Sequence, residues 1–327
     1  MSRRLMAREE RWPIAGAFTI ARGSKTEARV LVVEIEDKGA IGRGESVPYP
    51  RYDETPERSL AAIESVRAAM ESGGDRARLQ GLLPAGAARN ALDCALWDLE
   101  AKQTGVPVWR RAKLARPGPV VTAFTLSLAS PEAMAEAART AADRPILKLK
   151  IGGADDLDRV AAVRAAAPAA RLIVDANEAL TFEDLRRLTP ELARLGVVLI
   201  EQPLKAGEDE ALKAFVSAVP LCADEGVHTR KELAACVGRY SCINIKLDKT
   251  GGLTEAVALA AEARAQGLSI MAGCMVATSL SMAPAMLIAQ GAAFVDLDGP
   301  LLLAKDREPG LVFKGSMAEP PDPALWG

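Results

Sequence analysis

The order of apolar and polar positions divides the chain into two regimes. In the first, TEARVLVVEIE (26–36) is rich in β-branched residues, DKG (37–39) signals a turn, and AIGRGES (40–46) reads as the returning strand of a hairpin. Helical spacing follows. ERSLAAIESVRAAMES (57–72) carries an apolar stripe, and PAGAARNALDCALWDLEAKQTG (84–105) runs from Pro84 to a stop at Gly105. From residue 119 onward the pattern becomes a regular alternation. Eight short apolar runs appear: VVTAFTLSL (120–128), ILKLKI (146–151), RLIVDAN (171–177), VVLIEQP (197–203), VPLCADE (219–225), CINIKLD (242–248), LSIMAGC (268–274) and AFVDLD (293–298). Helical stretches such as PEAMAEAARTAA (131–142) and TEAVALAAEARAQG (254–267) separate them. Strands alternating with helices imply a parallel sheet, and eight such units imply a closed barrel. GPLLLAKDREPG, after the eighth run, has no helical stripe. The pattern therefore predicts an α/β fold, a (β/α)7β TIM-like barrel behind an N-terminal α+β region, with a C-terminal tail. An open doubly wound sheet is the alternative, but no GxGxxG follows any run.

Composition narrows the function classes. The chain has 327 residues, a formal net charge of −2 and 4% aromatic residues, so it offers neither a basic surface nor stacking platforms for nucleic acid. No apolar run approaches the ~18 residues of a membrane span, and the start, MSRRLMAREERW, lacks the apolar stretch of a signal peptide. Five cysteines, none in a CxxC pair, point to a reducing cytoplasm rather than disulfides or a thiolate zinc site. The single histidine, His228, removes every mechanism that needs two. It reads as a capping or solvent-exposed imidazole.

Core strands of a parallel sheet are nearly all apolar, and these are not. Lys148 and Lys150 lie two apart in ILKLKI, hence on one face. Asp175, Glu201 and Asp224 close the next three runs, Lys246 lies in INIK, and Asp296 and Asp298 alternate in the last run. Each step from Lys150 through Lys246 is one β/α unit, so a charge recurs at the rim where barrel chemistry sits. Three converging carboxylates repel unless a cation joins them, and an all-oxygen set favours Mg²⁺ first and Mn²⁺ next. Lysines on strands two and six face each other across an eight-stranded ring. That arrangement suits proton transfer at a carbon next to a carboxylate, with the metal stabilising the enediolate. A neighbouring lysine and the metal are expected to lower the pKa of the basic lysine.

These residues resemble the enolase superfamily in its muconate-lactonizing subgroup, and most of all the bacterial dipeptide epimerases. The likeness covers nearly the whole chain and includes LKLKIGG, LIVDANEA, EQPL, CADEGVHTR, INIKLDKTGGLTEA, GCMVATS and DLDGP. The resemblance implies a capping domain over 1–115, a modified (β/α) barrel with the active site over 116–300, and a tail over 301–327 that packs back on the cap. It implies Asp175, Glu201 and Asp224 as Mg²⁺ ligands and Lys150 and Lys246 as the acid/base pair for 1,1-proton transfer. Lys148 becomes the companion near the substrate carboxylate, while Asp296 and Asp298 hold the dipeptide's ammonium. Thr125, Cys274 and Val276 fall where relatives touch substrate, and Asn177 and Glu225 support the ligands. Arg22 or Lys25, in ARGSK, reads the side chain of the epimerised residue.

The implied activity is Mg²⁺-dependent epimerisation of L-Ala-D/L-Glu or a similar dipeptide in murein peptide recycling, without an organic cofactor. The partner is a small dipeptide, with no nucleic acid or membrane; a homo-oligomer stays open. The alternatives are o-succinylbenzoate synthesis or muconate cycloisomerisation, whose substrates have no ammonium for Asp296 and Asp298. A metal-independent Schiff-base aldolase using Lys150 or Lys246, and a non-catalytic binding protein, complete the set.

Overall fold

The computed structural model describes residues 3–153 and 155–327. The chain opens with a three-stranded antiparallel sheet, β1 (Arg4–Ile20), β2 (Gly23–Asp37) and β3 (Ala40–Ser46). β2 and β3 match the hairpin reading, and β1 was not anticipated. Its residues pair with β2 from Arg4↔Glu36 to Ile20↔Gly23, and most of its side chains are half-buried or exposed. A strand with so few buried positions leaves little apolar signal.

Helices α1 (Pro56–Ser65), α2 (Arg67–Glu71), α3 (Arg76–Leu82) and α4 (Ala87–Thr104) cover this sheet. The single helix expected over 57–72 is thus two, because Val66 N bonds Ile63 O in a tighter turn and breaks the α-helical ladder. α4 is buried nearly all round, as a helix between two layers must be. One side packs on β3 so closely that a Cβ on Gly42 would lie 2.1 Å from Ala95 O, and one on Gly44 2.1 Å from Ala91 O. The other side docks on the barrel. Arg89 Nη2 donates to Thr250 O at 2.7 Å, Asn90 Nδ2 to Asp248 Oδ1 at 2.9 Å, and Trp97 Nε1 to Thr254 Oγ1 at 3.0 Å.

After the short helix α5 (Val108–Arg111) and strand β4 (Val120–Val121), the barrel begins. Its eight strands are β5 (Phe124–Leu126), β6 (Ile146–Lys150), β7 (Arg171–Asp175), β8 (Val197–Glu201), β9 (Leu221–Ala223), β10 (Cys242–Ile245), β11 (Ser269–Gly273) and β12 (Phe294–Asp296), hydrogen-bonded in chain order. Ala123 N to Val295 O at 2.8 Å joins the first strand to the last. The crossover helices are α6 (Pro131–Thr140), α7 (Leu157–Ala166), α8 (Phe182–Arg194), α9 (Arg230–Cys236), α10 (Leu247–Thr250) with α11 (Leu253–Ala265), and α12 (Ser279–Ala289). Between β8 and β9 the crossover is a 3₁₀ segment, Glu210–Ala214. Ser130 before Pro131 and Thr181 with Asp184 cap their helices through side-chain oxygens.

The run expected as one strand over 120–128 is also divided. β4 leaves the barrel to pair with β14 (Met317–Ala318), which pairs with β13 (Phe313–Lys314). Beyond them Trp326 is buried, its Nε1 donating to Cys94 O of α4 at 3.0 Å. Among the described residues no helix is long and apolar enough to cross a membrane.

The close approach of β3 to α4 is testable. Gly42→Ala should lower stability by ~1–3 kcal/mol, the cost of overpacking, read as a fall in the urea midpoint.

Candidate active site

Alternation along the barrel strands sorts the side chains. Ile146, Ile173, Leu199, Cys222, Cys242 and Met271 form an apolar plug in the interior. Two positions further along, the same inward face carries Lys148, Asp175, Glu201, Asp224 and Asn244. Register aligns them, with Lys150 opposite Asp175 and Asp175 opposite Glu201. The charges therefore stand on a dry floor at the C-terminal mouth.

Each charge on this floor has an opposite neighbour. Lys148 Nζ lies 2.7 Å from Asp296 Oδ2, 2.7 Å from Glu201 Oε2 and 3.2 Å from Asp175 Oδ2. Lys150 Nζ donates to Asp175 Oδ2 at 2.5 Å, and Lys246 Nζ to Asp224 Oδ2 at 2.6 Å. Lys249, missed in the sequence reading, is fully buried and donates to Asp224 Oδ1 at 2.6 Å, Asp224 O at 2.5 Å and Asn244 O at 2.9 Å. Its signal was spacing, since Lys246 and Lys249 are one helical turn apart in α10's first turn. Asn244 was missed too. Its Nδ2 donates to Glu201 Oε1 at 2.7 Å, in space that a Cβ on Gly273 would fill.

The electrostatics follow these contacts. Burial disfavours the ammonium of Lys148, yet Asp296, Glu201 and Asp175 hold its pKa well above the ordinary lysine value. Burial likewise opposes the Lys246 ammonium, and Asp224 and Glu201 raise it. At both of these amines the neighbouring carboxylates outweigh burial and the like charges. Burial and the Asp175 charge push Glu201 up to about 7. Burial raises the Asp224 carboxyl, but Lys246 and Lys249 overcome it and hold it well below the carboxylate range. Burial and Asp296 lift Asp298 to about 7.

Among the described residues no three carboxylate, thiol or imidazole groups close into one metal cage. Asp175 and Glu201 share the Lys148 ammonium, whereas Asp224 turns to Lys246 and Lys249, each carboxylate following its nearest cation. The donor set still fits a hard divalent ion. All three groups offer oxygen, and Glu201 Oε2, buried, meets the Lys148 ammonium at 2.7 Å as an ion pair without hydrogen-bond geometry. Asn177 N holds Asp175 Oδ1 at 3.0 Å, and Asn177 Nδ2 reaches Glu225 Oε1 at 3.2 Å.

Above this floor lies a cavity of about 820 Å³, roofed by the N-terminal domain. Thr125, Lys148, Lys150, Lys246, Cys274, Val276, Asp296, Asp298, Arg22 and Lys25 all reach its wall. Thr125 N donates to Asp298 Oδ2 at 2.6 Å. Buried Glu45 of β3 accepts from Thr278 N at 2.8 Å and so fixes the end of the segment that carries Cys274 and Val276. Roof and floor meet at Phe18, with Lys25 Nζ 5.6 Å and Lys150 Nζ 5.9 Å from its ring centroid. His228 is neither cap nor freely exposed. Thr229 caps α9, while the imidazole packs edge-on against Tyr52 at 4.4 Å, and burial with Lys249 lowers its pKa to about 4.

The profile described as "Mandelate racemase / muconate lactonizing enzyme, N-terminal domain" matches residues 2–111, and "Enolase C-terminal domain-like" matches residues 132–323. The chain belongs to the mandelate racemase/muconate lactonizing enzyme family of the enolase superfamily. Within this family it is 50% identical to the L-Ala-D/L-Glu epimerase of Escherichia coli, over 93% of this chain and 96% of that one. It is 47% identical to the N-acetyl-D-glutamate racemase of a Pseudoalteromonas species, over 91% and 95%. A crystal structure from Agrobacterium tumefaciens, described as homologous to dipeptide epimerases with bound sodium and L-Ala-L-Glu, superposes with a TM-score of 0.98 at 52% identity, covering 99% of this chain and 100% of that one. The dipeptide epimerase of Methylococcus capsulatus, complexed with Mg and L-Arg-D-Lys, superposes at 0.91 with 31% identity, over 100% and 99%.

Lys249 gives a clean test of the charge arrangement. Lys249→Met leaves one oxygen of buried Asp224 and two carbonyls without a donor, though Lys246 stays on the other oxygen, and should cost about 1–3 kcal/mol, seen as a drop in thermal midpoint.

Proposed function

We propose that this chain is a Mg²⁺-dependent dipeptide epimerase of the L-Ala-D/L-Glu type, an isomerase working by 1,1-proton transfer. One observation carries the reading: Lys150 and Lys246 rise from β6 and β10, second and sixth of eight strands, and so flank the Asp175–Glu201–Asp224 carboxylates from opposite sides. Asp175, Glu201 and Asp224 would hold the divalent ion. When bound, it supplies positive charge to a substrate carboxylate as negative charge develops there. Lys150 and Lys246 then act on opposite faces of the α-carbon, one taking the proton and the other returning it. The pair must carry one proton between them, so one starts neutral. Lys148 beside Asp296 lies where the substrate carboxylate would be met. Asn177 would steady the ligand set, its N–H on Asp175 Oδ1 and its Nδ2 on Glu225, the residue after Asp224.

Asp296 and Asp298 distinguish this reading from its rivals. Two carboxylates on the cavity wall suit a free ammonium, which an N-acyl amino acid and the cyclisation substrates lack. Thr125, Cys274 and Val276 complete that wall. We read residues 1–115 as the cap, 116–300 as the barrel and 301–327 as a tail tied to the cap through Trp326. All five cysteines are free, Cys222 and Cys242 even while paired on neighbouring strands, which fits a cytoplasmic enzyme of murein peptide recycling.

Incubating the protein with L-Ala-L-Glu in D₂O and Mg²⁺ should introduce one deuterium at the glutamate α-carbon, followed by mass, with N-acetyl-L-glutamate exchanging far more slowly. Lys150→Met and Lys246→Met should each lower turnover at least ~10²-fold. Exchange that survives exhaustive EDTA, with borohydride trapping of an adduct, would instead identify a Schiff-base enzyme.

Lys25 makes a second, pH-dependent test. Burial, then the charge of Lys150, lowers its pKa to about 8, with Lys246 adding to the effect and Cys274 opposing it. The free enzyme's Lys25 is therefore cationic below that pH and neutral above it. The preference for L-Ala-L-Glu over L-Ala-L-Leu in kcat/KM should fade as pH rises through about 8. A ratio flat across that range would remove Lys25 as the reader of the acidic side chain.

A further inference from the structure

The turn between β1 and β2 carries two cations, Arg22 and Lys25, and their surroundings differ. Arg22 reaches past the cavity to the barrel rim. Its Nη1 donates to Asn177 O at 2.8 Å and Glu178 Oε2 at 3.2 Å, and its Nη2 to Glu225 Oε1 at 2.7 Å and Tyr49 OH at 3.2 Å. Both terminal nitrogens are thus committed to the protein itself, which leaves no open fork for a substrate carboxylate. Lys25 has no carboxylate partner among the described residues, and the charges acting on it are the like charges of Lys150 and Lys246.

The rim is built to receive Arg22. Asn177 and Glu178 both take left-handed backbone conformations, with φ of 43° and 71°, uncommon for residues with side chains. Glu178 is further fixed by Arg51, at 2.8 Å to each oxygen, and by Ala206 N at 2.9 Å. The Glu225 side chain is 1% exposed, and Arg22 is the cation in hydrogen-bond contact with it, while Lys246 acts on it from further off. A buried carboxylate without a counter-ion is strongly disfavoured. Lifting the turn would let water reach Glu225, so the closed turn and the Arg22 contact depend on each other.

We infer that Arg22 is a positioning residue that latches the β1–β2 turn over the cavity through Glu225, Asn177 and Glu178, leaving Lys25 as the cation of this turn that reads the substrate. The division of roles rests on the dipeptide epimerase reading. The latch itself does not, and the two are tested separately.

The experiment uses the Mg²⁺-loaded full chain with Arg22→Met, Arg22→Lys, Lys25→Met and Glu178→Gln. Amide hydrogen exchange over residues 18–27 reads the latch without any substrate. Arg22→Met should speed exchange there about tenfold or more, Arg22→Lys should recover part of the protection, and Lys25→Met should leave it at the wild-type level. In turnover, Arg22→Met should lower kcat/KM about tenfold for L-Ala-L-Glu and L-Ala-L-Leu alike, whereas Lys25→Met should lower it far more for L-Ala-L-Glu than for L-Ala-L-Leu. Should Arg22→Met fail to fold, Glu178→Gln decides, since it loosens the same turn from outside the cavity. Unchanged exchange in the turn, or a loss in Arg22→Met confined to L-Ala-L-Glu, overturns the latch. Wild-type protein inert towards both dipeptides overturns the epimerase reading, while the exchange measurement still judges the latch.

Discussion

A charge taken out of water must meet an opposite charge or a dense set of hydrogen bonds. At the mouth of this barrel that requirement is met by interleaving: Lys148 among Asp296, Glu201 and Asp175, Lys150 against Asp175, and Lys246 and Lys249 on the two oxygens of Asp224. The strand period supplies the spacing and parallel register the alignment. The apolar layer beneath, from Ile146 round to Met271, keeps the dielectric low, so each contact is stronger than it would be in water. The amines and carboxylates of the mouth therefore hold one another in fixed alternation.

The N-terminal domain shares in this site rather than merely covering it. α4 is the joint: Gly42 and Gly44 let β3 lie against it, while Arg89, Asn90 and Trp97 grip the segment just beyond Lys246. Glu45, one strand position away, bonds the start of α12 and so settles the segment bearing Cys274 and Val276. Packing in the cap is thus transmitted to the cavity through a few buried polar contacts.

Much of this was legible in the chain. Charged residues at the ends of apolar runs, recurring once per unit, fall on one inward face because period and topology leave them nowhere else. What was hidden depended on pairings across long separations. β1 looked polar because half of it faces water, and Lys249 looked like an ordinary helix-start lysine until it lay beneath Asp224. Arg22 and Lys25 were equivalent in sequence, and only the rim partners Glu225 and Asn177 tell them apart. The division of 120–128 likewise needed a partner, β14, almost two hundred residues away, a pairing that no local pattern records.

Phe18 has a broader consequence. Its ring lies under Lys25 from the roof and beside Lys150 from the floor, each within reach of the ring's negative face. Replacing it would perturb both amines at once. Substrate choice and speed would then be inherited as one trait at this position, and a lineage drifting towards new dipeptides would have to move elsewhere in the roof first.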